Sequence, residues 1–282
     1  MKILTVIVSY NALRWDLRCI ECLRSSEVAT DVLVVDNASS DGSPEAIRKR
    51  FPEVRLIESR ENLGFGAANN IGLRIAVEED YDFVYLLNQD AWIEPDTLRL
   101  LLNRAGGGFD LLSPVQRSRN GELDPNFRRK CSRALRGRKE GCAEVNFVMA
   151  AHWLLSRKAI LSVGGFSPAF RQYGEDDNYI DRLHFHGLRA AVVCEASAIH
   201  DRAERRCTKE QKMRLKCISV PVQISDPGNC LAASIALQPL RLLAMAVKNA
   251  SCVPLRYLWE MKKALPGLVE LRKESEKKGA FL

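Results

Sequence analysis

Apolar residues in this chain come in short unbroken runs that stop abruptly at polar groups. Residues 2–8, 31–35, 54–58 and 81–90 each read as a strand buried on both faces, the pattern of a central parallel sheet. Between them the apolar period lengthens to that of helices. Residues 12–26 predict one helix; Ser43 and Pro44, as N-cap and first-turn proline, open another that runs to Arg50. A third follows the loop 62–70, with Ala68, Ile71, Gly72, Ile75 and Ala76 on one small, tightly packing face. Strand, helix, strand, helix through residue 105 is the order of a doubly wound α/β sheet with right-handed crossovers. Beyond it, 110–114 and 189–194 predict strands, 143–155 is a long apolar segment and 157–163 a helix. Residues 116–141 are polar, basic and glycine-bearing, so they read as a mobile solvated loop, the alternative being that their cations cover a diphosphate or contact an acceptor.

Ligands of such sheets bind beyond the carboxyl ends of the strands, and this chain concentrates its chemistry there. The first strand ends in Ser9-Tyr10-Asn11. The second runs into Asp36-Asn37-Ala38-Ser39-Ser40-Asp41-Gly42, and the fourth into Asn88-Gln89-Asp90. Trp92-Ile93 keep the apolar character after Asp90, and Glu94-Pro95-Asp96 open a helix. A carboxylate at that tip is expected to hold a divalent metal under a diphosphate. Farther along, Tyr173-Gly174-Glu175-Asp176-Asp177-Asn178 opens a helix with three adjacent carboxylates. Their mutual repulsion predicts a raised pKa or a nearby cation. Gly64-Phe65-Gly66 permits close backbone approach but lacks the full spacing of a nicotinamide-binding loop.

Composition adds a division along the chain. Of 282 residues, 46% are apolar and 27% charged, which is ordinary for a globular protein and excludes general disorder. The net charge is +7, yet residues 205–282 alone carry 15 Lys and Arg against 6 Asp and Glu. A near-neutral body with a basic tail suits an acidic surface such as phospholipid; nucleic acid would ask for more aromatic and glycine interleaving and is not expected. A solvated basic helix is the other reading of that tail. Residues 231–247 resemble a membrane segment, but Gln238, Pro239 and Arg241 leave it too polar and short for a span, so helical hairpins are expected. Leu240, Leu243, Ala244 and Val247 share one face and Arg241 and Lys248 another. Such helices lie on a bilayer interface, or pack on the catalytic body or on a second subunit of a homodimer. Nine cysteines in scattered spacing argue for a reducing compartment, and Cys19 and Cys22 read as helix packing. No signal-peptide pattern opens the sequence, so a cytoplasmic location is expected.

Taken in order, Val6-Ile-Val-Ser-Tyr-Asn11, Val34-Val-Asp-Asn-Ala-Ser-Ser-Asp-Gly-Ser43, Asn62-Leu-Gly-Phe-Gly-Ala-Ala-Asn-Asn-Ile-Gly72, Leu86-Leu-Asn-Gln-Asp90, Val163-Gly-Gly-Phe166 and Tyr173-Gly-Glu-Asp176 form a set. The set resembles family 2 glycosyltransferases of the GT-A fold, and within them the rhamnosyltransferase-like bacterial branch, over about residues 3–205. The resemblance implies an α/β, mostly parallel GT-A sheet in residues 1–204 and a basic amphipathic helical extension in 205–282. It implies that Ser9, Tyr10 and Asp36 hold the base and ribose of a nucleoside-diphosphate sugar, with Asp41, Asn62, Gly64 and Asn88 lining the same pocket. Asn88-Gln89-Asp90 takes the place of the Asp-x-Asp metal motif, so Mg²⁺ or Mn²⁺ leans on Asp90, with His200 as the downstream metal or diphosphate contact. One carboxylate suffices when the diphosphate and waters complete the octahedron. Asp176 is then the general base, with Glu175 beside it; Asn178 stands where the family has an acidic residue, and Arg182 keeps the expected Arg.

The expected activity is inverting transfer of a hexose or deoxyhexose to a hydroxyl of a glycan or lipid-linked glycan, for surface polysaccharide, at the inner face of the membrane. The competing expectation is a catalytically silent nucleotide-sugar-binding scaffold, motivated by Asn88 and Asn178. A nicotinamide oxidoreductase shares the strand pattern, but this chain lacks its glycine fingerprint after the first strand, and Ser9-Tyr10-Asn11-Ala12 is not the glycine-rich, basic loop that a nucleotidyltransferase would need there.

Overall fold

The computed structural model describes residues 1–202 and 207–282, so the expected boundary at 204 and 205 lies outside the described residues. The first half alternates strand and helix as its pattern predicts: β1 (Ile3–Ser9), α1 (Arg18–Arg24), β2 (Asp31–Asp36), α2 (Ser43–Arg50), β3 (Arg55–Glu58), α3 (Phe65–Glu78) and β4 (Phe83–Asn88). Then come β5 (Ala91–Ile93), α4 (Thr97–Arg104), β6 (Leu111–Arg117), α5 (Pro125–Leu135), β7 (Cys142–Val145), β8 (His152–Ser156), α6 (Arg157–Val163), α7 (Glu175–Phe185) and β9 (Ala190–His200). Four helices close the chain: α8 (Lys209–Cys217), α9 (Ser219–Ser225), α10 (Leu231–Asn249) and α11 (Val253–Ser275).

Among the described residues the strands form one nine-stranded sheet in the order β3-β2-β1-β4-β8-β6-β9-β5, with β7 also paired to β9. β1, β2, β3, β4, β6 and β9 share a direction; β5, β7 and β8 oppose it. The alternation of side chains divides the interior in two. Val6, Leu33, Val35, Val84 and Leu86 face a core capped by α3, α6 and α7, whereas Ile7, Val34, Tyr85 and Leu87 face one capped by α1, α2 and α4. A third apolar cluster, built from Cys217, Val220, Ile224, Leu242, Tyr257, Met261 and Leu268, holds the C-terminal helices together.

Four local differences from the sequence reading have physical causes. The helix expected over 12–26 breaks at Asp16 and Leu17, both at positive φ, into a 3-10 turn and α1, which lets Leu17 bury in the second core. The segment 116–141, expected as a loop, contains α5. Asp124 caps it by accepting from Asn126 N and Phe127 N at 2.8 and 2.9 Å, Pro125 fills the first turn, and Phe127 and Cys131 are buried. β9 continues six residues past the expected end at 194. Its register on β6 shifts between Pro114 and Val115, where proline has no N–H to donate, and pairing resumes to carry His200 to the sheet edge. Gly42 rather than Ser43 precedes α2 as its cap, because the Ser43 hydroxyl is turned to Asp41. At the C-terminal end, α10 has 19 residues and mean hydropathy 1.4, with 22% of its apolar window buried, so by length and composition it suffices to cross a membrane despite its polar interruptions.

Two glycine positions fix helices to the sheet. A Cβ on Gly72 would lie 2.5 Å from Val6 Cγ2, so α3 sits on β1 at a distance that only glycine allows. Gly72→Ala is expected to cost about 1–3 kcal/mol by overpacking and to lower Tm by about 5 °C, read by thermal denaturation. At the Gly164-Gly165 turn the added Cβ atoms would meet Ala280 O at 1.9 Å and Phe281 O at 2.6 Å, because residues 279–282 return across the turn after α6. Gly165 N donates to Ala280 O, and Asn70 Nδ2 to Phe281 O.

Candidate active site

The ends of β1, β2 and β4 and of the parallel β9 place Ser9, Asp36, Asn88 and His200 along one edge of the sheet. Ser9 stands opposite Asp36, and Val8 opposite Asn88. Asp36, 1% exposed, accepts from the Ser9 hydroxyl at 2.8 Å and from Ser39 N at 2.9 Å, and the Ser39 hydroxyl donates to it as well. Its carboxylate therefore organises the loop after β2 and retains acceptor capacity for one more donor. Asp41 sits lower in the same loop, exposed, accepting from Leu13 N and from the Ser43 hydroxyl and amide. Burial pushes its carboxyl up, but those hydrogen bonds outweigh it and hold it below the usual carboxylate range. Asn62 accepts from Gly64 N, and Asn37 clamps the same loop by accepting from Leu63 N and donating to Gly64 O. Gly64 and Gly66 are needed for the chain itself: their added Cβ atoms would meet Arg171 O at 2.4 Å and Phe166 Cβ at 2.8 Å. Tyr10 projects an exposed ring, and its backbone is held from both sides by the Gln89 amide at 2.6 and 3.2 Å.

At the centre of the edge, Asp90 is buried beside His200, because Ala91 pairs with His200 across β5 and β9. His200 Nε2 lies 3.5 Å from Asp90 Oδ1 and accepts from Arg202 Nε at 3.2 Å. Burial draws the imidazole below its usual value more than Asp90 raises it, so it is neutral, and its one Nε2 lone pair takes the Arg202 N–H, which a bound cation would have to displace. Asn88 Oδ1 is buried and has no hydrogen-bond partner among the described residues. A neutral imidazole nitrogen, a carboxylate and an unpartnered amide oxygen are a donor set that fits a divalent cation of the Mg²⁺ or Mn²⁺ class. No group of three or more His, Cys, Asp and Glu side chains placed to hold a metal ion is found among the described residues, so a bound diphosphate and waters would have to complete such a shell.

Several contributors to this edge escaped sequence reasoning. His152, fully buried, binds Ile199 O through Nε2 at 3.0 Å and Tyr85 OH through Nδ1 at 2.8 Å. A carbonyl only accepts, so Nε2 carries the proton and Tyr85 donates to Nδ1; the pair steadies the backbone next to His200. Burial pulls His152 down to about 3, so it stays neutral. Arg119 Nη1 lies 3.8 Å from Asp201, and Arg202 Nε donates to His200, so two guanidinium groups stand close to the Asp90–His200 pair. The alternation His200, Arg202 along an extended segment was the available signal.

Glu175, Asp176 and Asp177 begin α7 after a turn in which Tyr173 and Gly174 both have positive φ. Glu175 is buried and its Oε2 has no partner among the described residues. Asp176 is half-buried, near the backbone N–H of Ala150 in the turn before β8. Burial, then the charge of Asp176, raises Glu175; burial, then Asp177, raises Asp176. Burial also raises Asp177, against the pull of Lys130 at 3.9 Å. Both outcomes expected of three adjacent carboxylates are therefore present. Removing the neighbouring charge should undo part of this. Asp177→Asn is expected to lower the Asp176 pKa and displace the rising limb of the pH–rate profile towards acid; an unmoved limb would exclude Asp176 as the titrating group. Asn178 does not face the acidic group's pocket. Its amide donates to Ser225 Oγ at 3.1 Å and ties α7 to α9. Arg182 is likewise structural, fully buried and donating to Gly165 O and Val163 O, with its ring partner Phe281 4.9 Å away.

The chain is similar to several known proteins. An N-acetylglucosaminyl-diphospho-decaprenol L-rhamnosyltransferase of Mycobacterium tuberculosis is 29% identical over 216 residues, covering 64% of this chain and 69% of that protein. An undecaprenyl-phosphate mannosyltransferase of Micrococcus luteus is 32% identical over 105 residues, 36% of this chain and 43% of that one. Among solved structures, S. aureus TarS 1-349 in complex with UDP superposes with a TM-score of 0.61 at 14% identity, covering 98% of this chain and 81% of that one. The mannosyltransferase PcManGT from Pyrobaculum calidifontis, in complex with GDP-Man and Mn²⁺, gives 0.60 at 17% identity, over 96% and 84%. These likenesses show the fold. Residues 5–164 match the family described as glycosyl transferase family 2, and the chain belongs to that family.

Proposed function

We propose that this protein is a metal-dependent inverting glycosyltransferase that moves a hexose or deoxyhexose from a nucleoside diphosphate to a hydroxyl of a lipid-linked glycan acceptor. The observation that carries this reading is the separation of two acidic stations at one sheet edge: Asp90 with the neutral His200, and the raised Glu175–Asp176 pair at the start of α7. Asp36, with Ser9 and the exposed Tyr10 ring, receives the nucleoside. Asp90 and His200 would hold Mg²⁺ or Mn²⁺, which would supply positive charge to the leaving diphosphate, and Arg119 and Arg202 carry further positive charge near that pair. The acceptor hydroxyl is placed against Asp176. As its oxygen bonds to the anomeric carbon, the bond from that carbon to the diphosphate oxygen breaks on the opposite face, and Asp176 takes the hydroxyl proton. Such a single displacement inverts the anomeric centre.

The relatives' names support a lipid-linked acceptor, since they specify decaprenol and undecaprenyl carriers. Residues 207–282 supply a surface that meets the inner face of the membrane in which such an acceptor lies: Leu237, Leu240, Leu243 and Val247 are exposed along α10, beside Arg241 and Lys248. The test of the central reading is a thermal-shift screen with UDP-, dTDP- and GDP-sugars in the presence of Mn²⁺, followed by nucleoside-diphosphate release. One donor class should raise Tm and be turned over only with the metal. Stabilisation without any release, in the presence of a polyprenyl-linked acceptor, would favour the silent scaffold.

A further inference from the structure

The C-terminal helices do not close on themselves. Between α9, α10 and α11 lies a groove of about 460 Å³, lined by Val220, Ile224, Ile235, Leu242, Leu258 and Leu265, with Trp259 and Lys262 at its rim. That volume is in the range of sites that hold an apolar ligand. Leu255 and Trp259, which also line the groove, are 46% and 61% exposed, with Lys262 and Lys263 over the Trp259 ring at 5.8 and 5.5 Å, whereas Leu240 and Val247, 62% and 84% exposed, lie on α10 outside that lining. Charge around it is one-sided. Residues 231–265 carry Arg241, Lys248, Arg256, Lys262 and Lys263 against the single acid Glu260; Glu260 is paired with Arg214 and Arg256 with Glu210, and Lys262 lines the groove itself. An apolar channel with a cationic rim is complementary to a hydrocarbon chain bearing a phosphate. The groove also has a direction. Its wall α9 is fastened to the acidic end of α7: Asn178 bonds Ser225, and Ile218, next to α9, lies 2.8 Å from the space a Cβ on Gly174 would need.

We propose that this groove binds the polyprenyl chain of a lipid-phosphate-linked acceptor, one chain per protein, and so delivers the acceptor's sugar towards Asp176. The inference rests on the proposed transferase reading and deepens it. It also accounts for Asn178: an acid there would not tie α9 to α7 as the amide does.

The test uses the full chain and undecaprenyl phosphate in non-ionic detergent, with Trp259 emission as the readout. A saturable shift at one lipid per protein is expected, and Ile235→Phe with Leu258→Phe, which fill the groove, should weaken it at least tenfold. Leu240→Ser with Val247→Ser, on the outer face, should leave it unchanged while reducing sedimentation with phosphatidylglycerol vesicles. To cover a groove variant that fails to fold, wild-type protein is irradiated with undecaprenyl phosphate carrying a photoreactive group near the chain end; label should fall within residues 219–265. Unaltered binding by the groove variant, label confined to other segments, or an emission change that follows protein concentration without lipid, as a second copy filling the groove would give, each overturns the proposal. Donor-dependent nucleoside-diphosphate release to water, measured on the same samples, separates the two readings: if it persists without lipid binding, only the groove assignment falls.

Discussion

Asp90→Ala is expected to reduce sugar transfer by about 10³-fold, roughly 4 kcal/mol of transition-state stabilisation. The size follows from where Asp90 stands. Among the described residues it is the carboxylate that β5–β9 pairing brings beside His200 Nε2, and the third group of that set, Asn88, offers only a neutral oxygen. With the aspartate gone, an imidazole and an amide remain, a donor set poor for Mg²⁺ or Mn²⁺. Two measurements separate this from simple unfolding. The ligand-free Tm should stay within a few degrees of the parent, while the additional stabilisation that Mn²⁺ gives to donor-bound protein should vanish. His200→Ala should show the same signature more weakly, about 10- to 100-fold in rate. An Asp90→Ala protein with normal metal-dependent turnover would contradict the assignment outright.

How much of this site was legible beforehand depends on the range of the interaction involved. The carboxyl edge formed by Ser9, Asp36 and Asn88 follows from runs of apolar residues ending in polar ones, because parallel strands that start together in the core end together at its rim. The helix α7 and its acidic start were equally local, and the strain of three adjacent carboxylates was visible in their spacing. What the pattern did not disclose was set by long-range pairing. His152 has no motif around it; only the antiparallel register of β8 on β4 brings it under Ile199 and Tyr85. The short strand β5 was hidden in Trp92-Ile93 because three residues are too few for a periodic signal, and without it the Asp90–His200 approach has no backbone explanation. The helix α5 was overlooked for another reason. Its Arg-rich exposed face outweighed two buried positions, Phe127 and Cys131, although Asp124-Pro125 carried a standard start signal. Asn178 shows the reverse error: a polar residue at an expected acidic position suggested lost activity, whereas its partner Ser225 lies 47 residues away on α9.

The second large effect concerns Asp176. Asp176→Asn is expected to lower kcat by about 10²–10⁴-fold, the usual contribution of a positioned general base, with donor-induced stabilisation unchanged because the nucleoside and metal groups lie elsewhere along the edge. Glu175→Gln should cost less than about tenfold. Glu175 is the more deeply buried of the two and is raised by the charge of Asp176, so across the neutral range it is the partner that keeps its proton, and glutamine mimics a protonated carboxyl. The pH profile supplies an independent sign. A carboxylate at its ordinary value would hold activity level from about pH 5 upward. Burial and Asp177 place the Asp176 value above that range, so the basic form is lost as pH falls through neutrality and transfer should rise with pH there. Asp176→Asn should flatten that limb as well as lower it, which a change in folding alone would not do. If Glu175→Gln abolished transfer and flattened the limb while Asp176→Asn left both intact, the base would be Glu175, and burial would have selected the residue that exposure argues against.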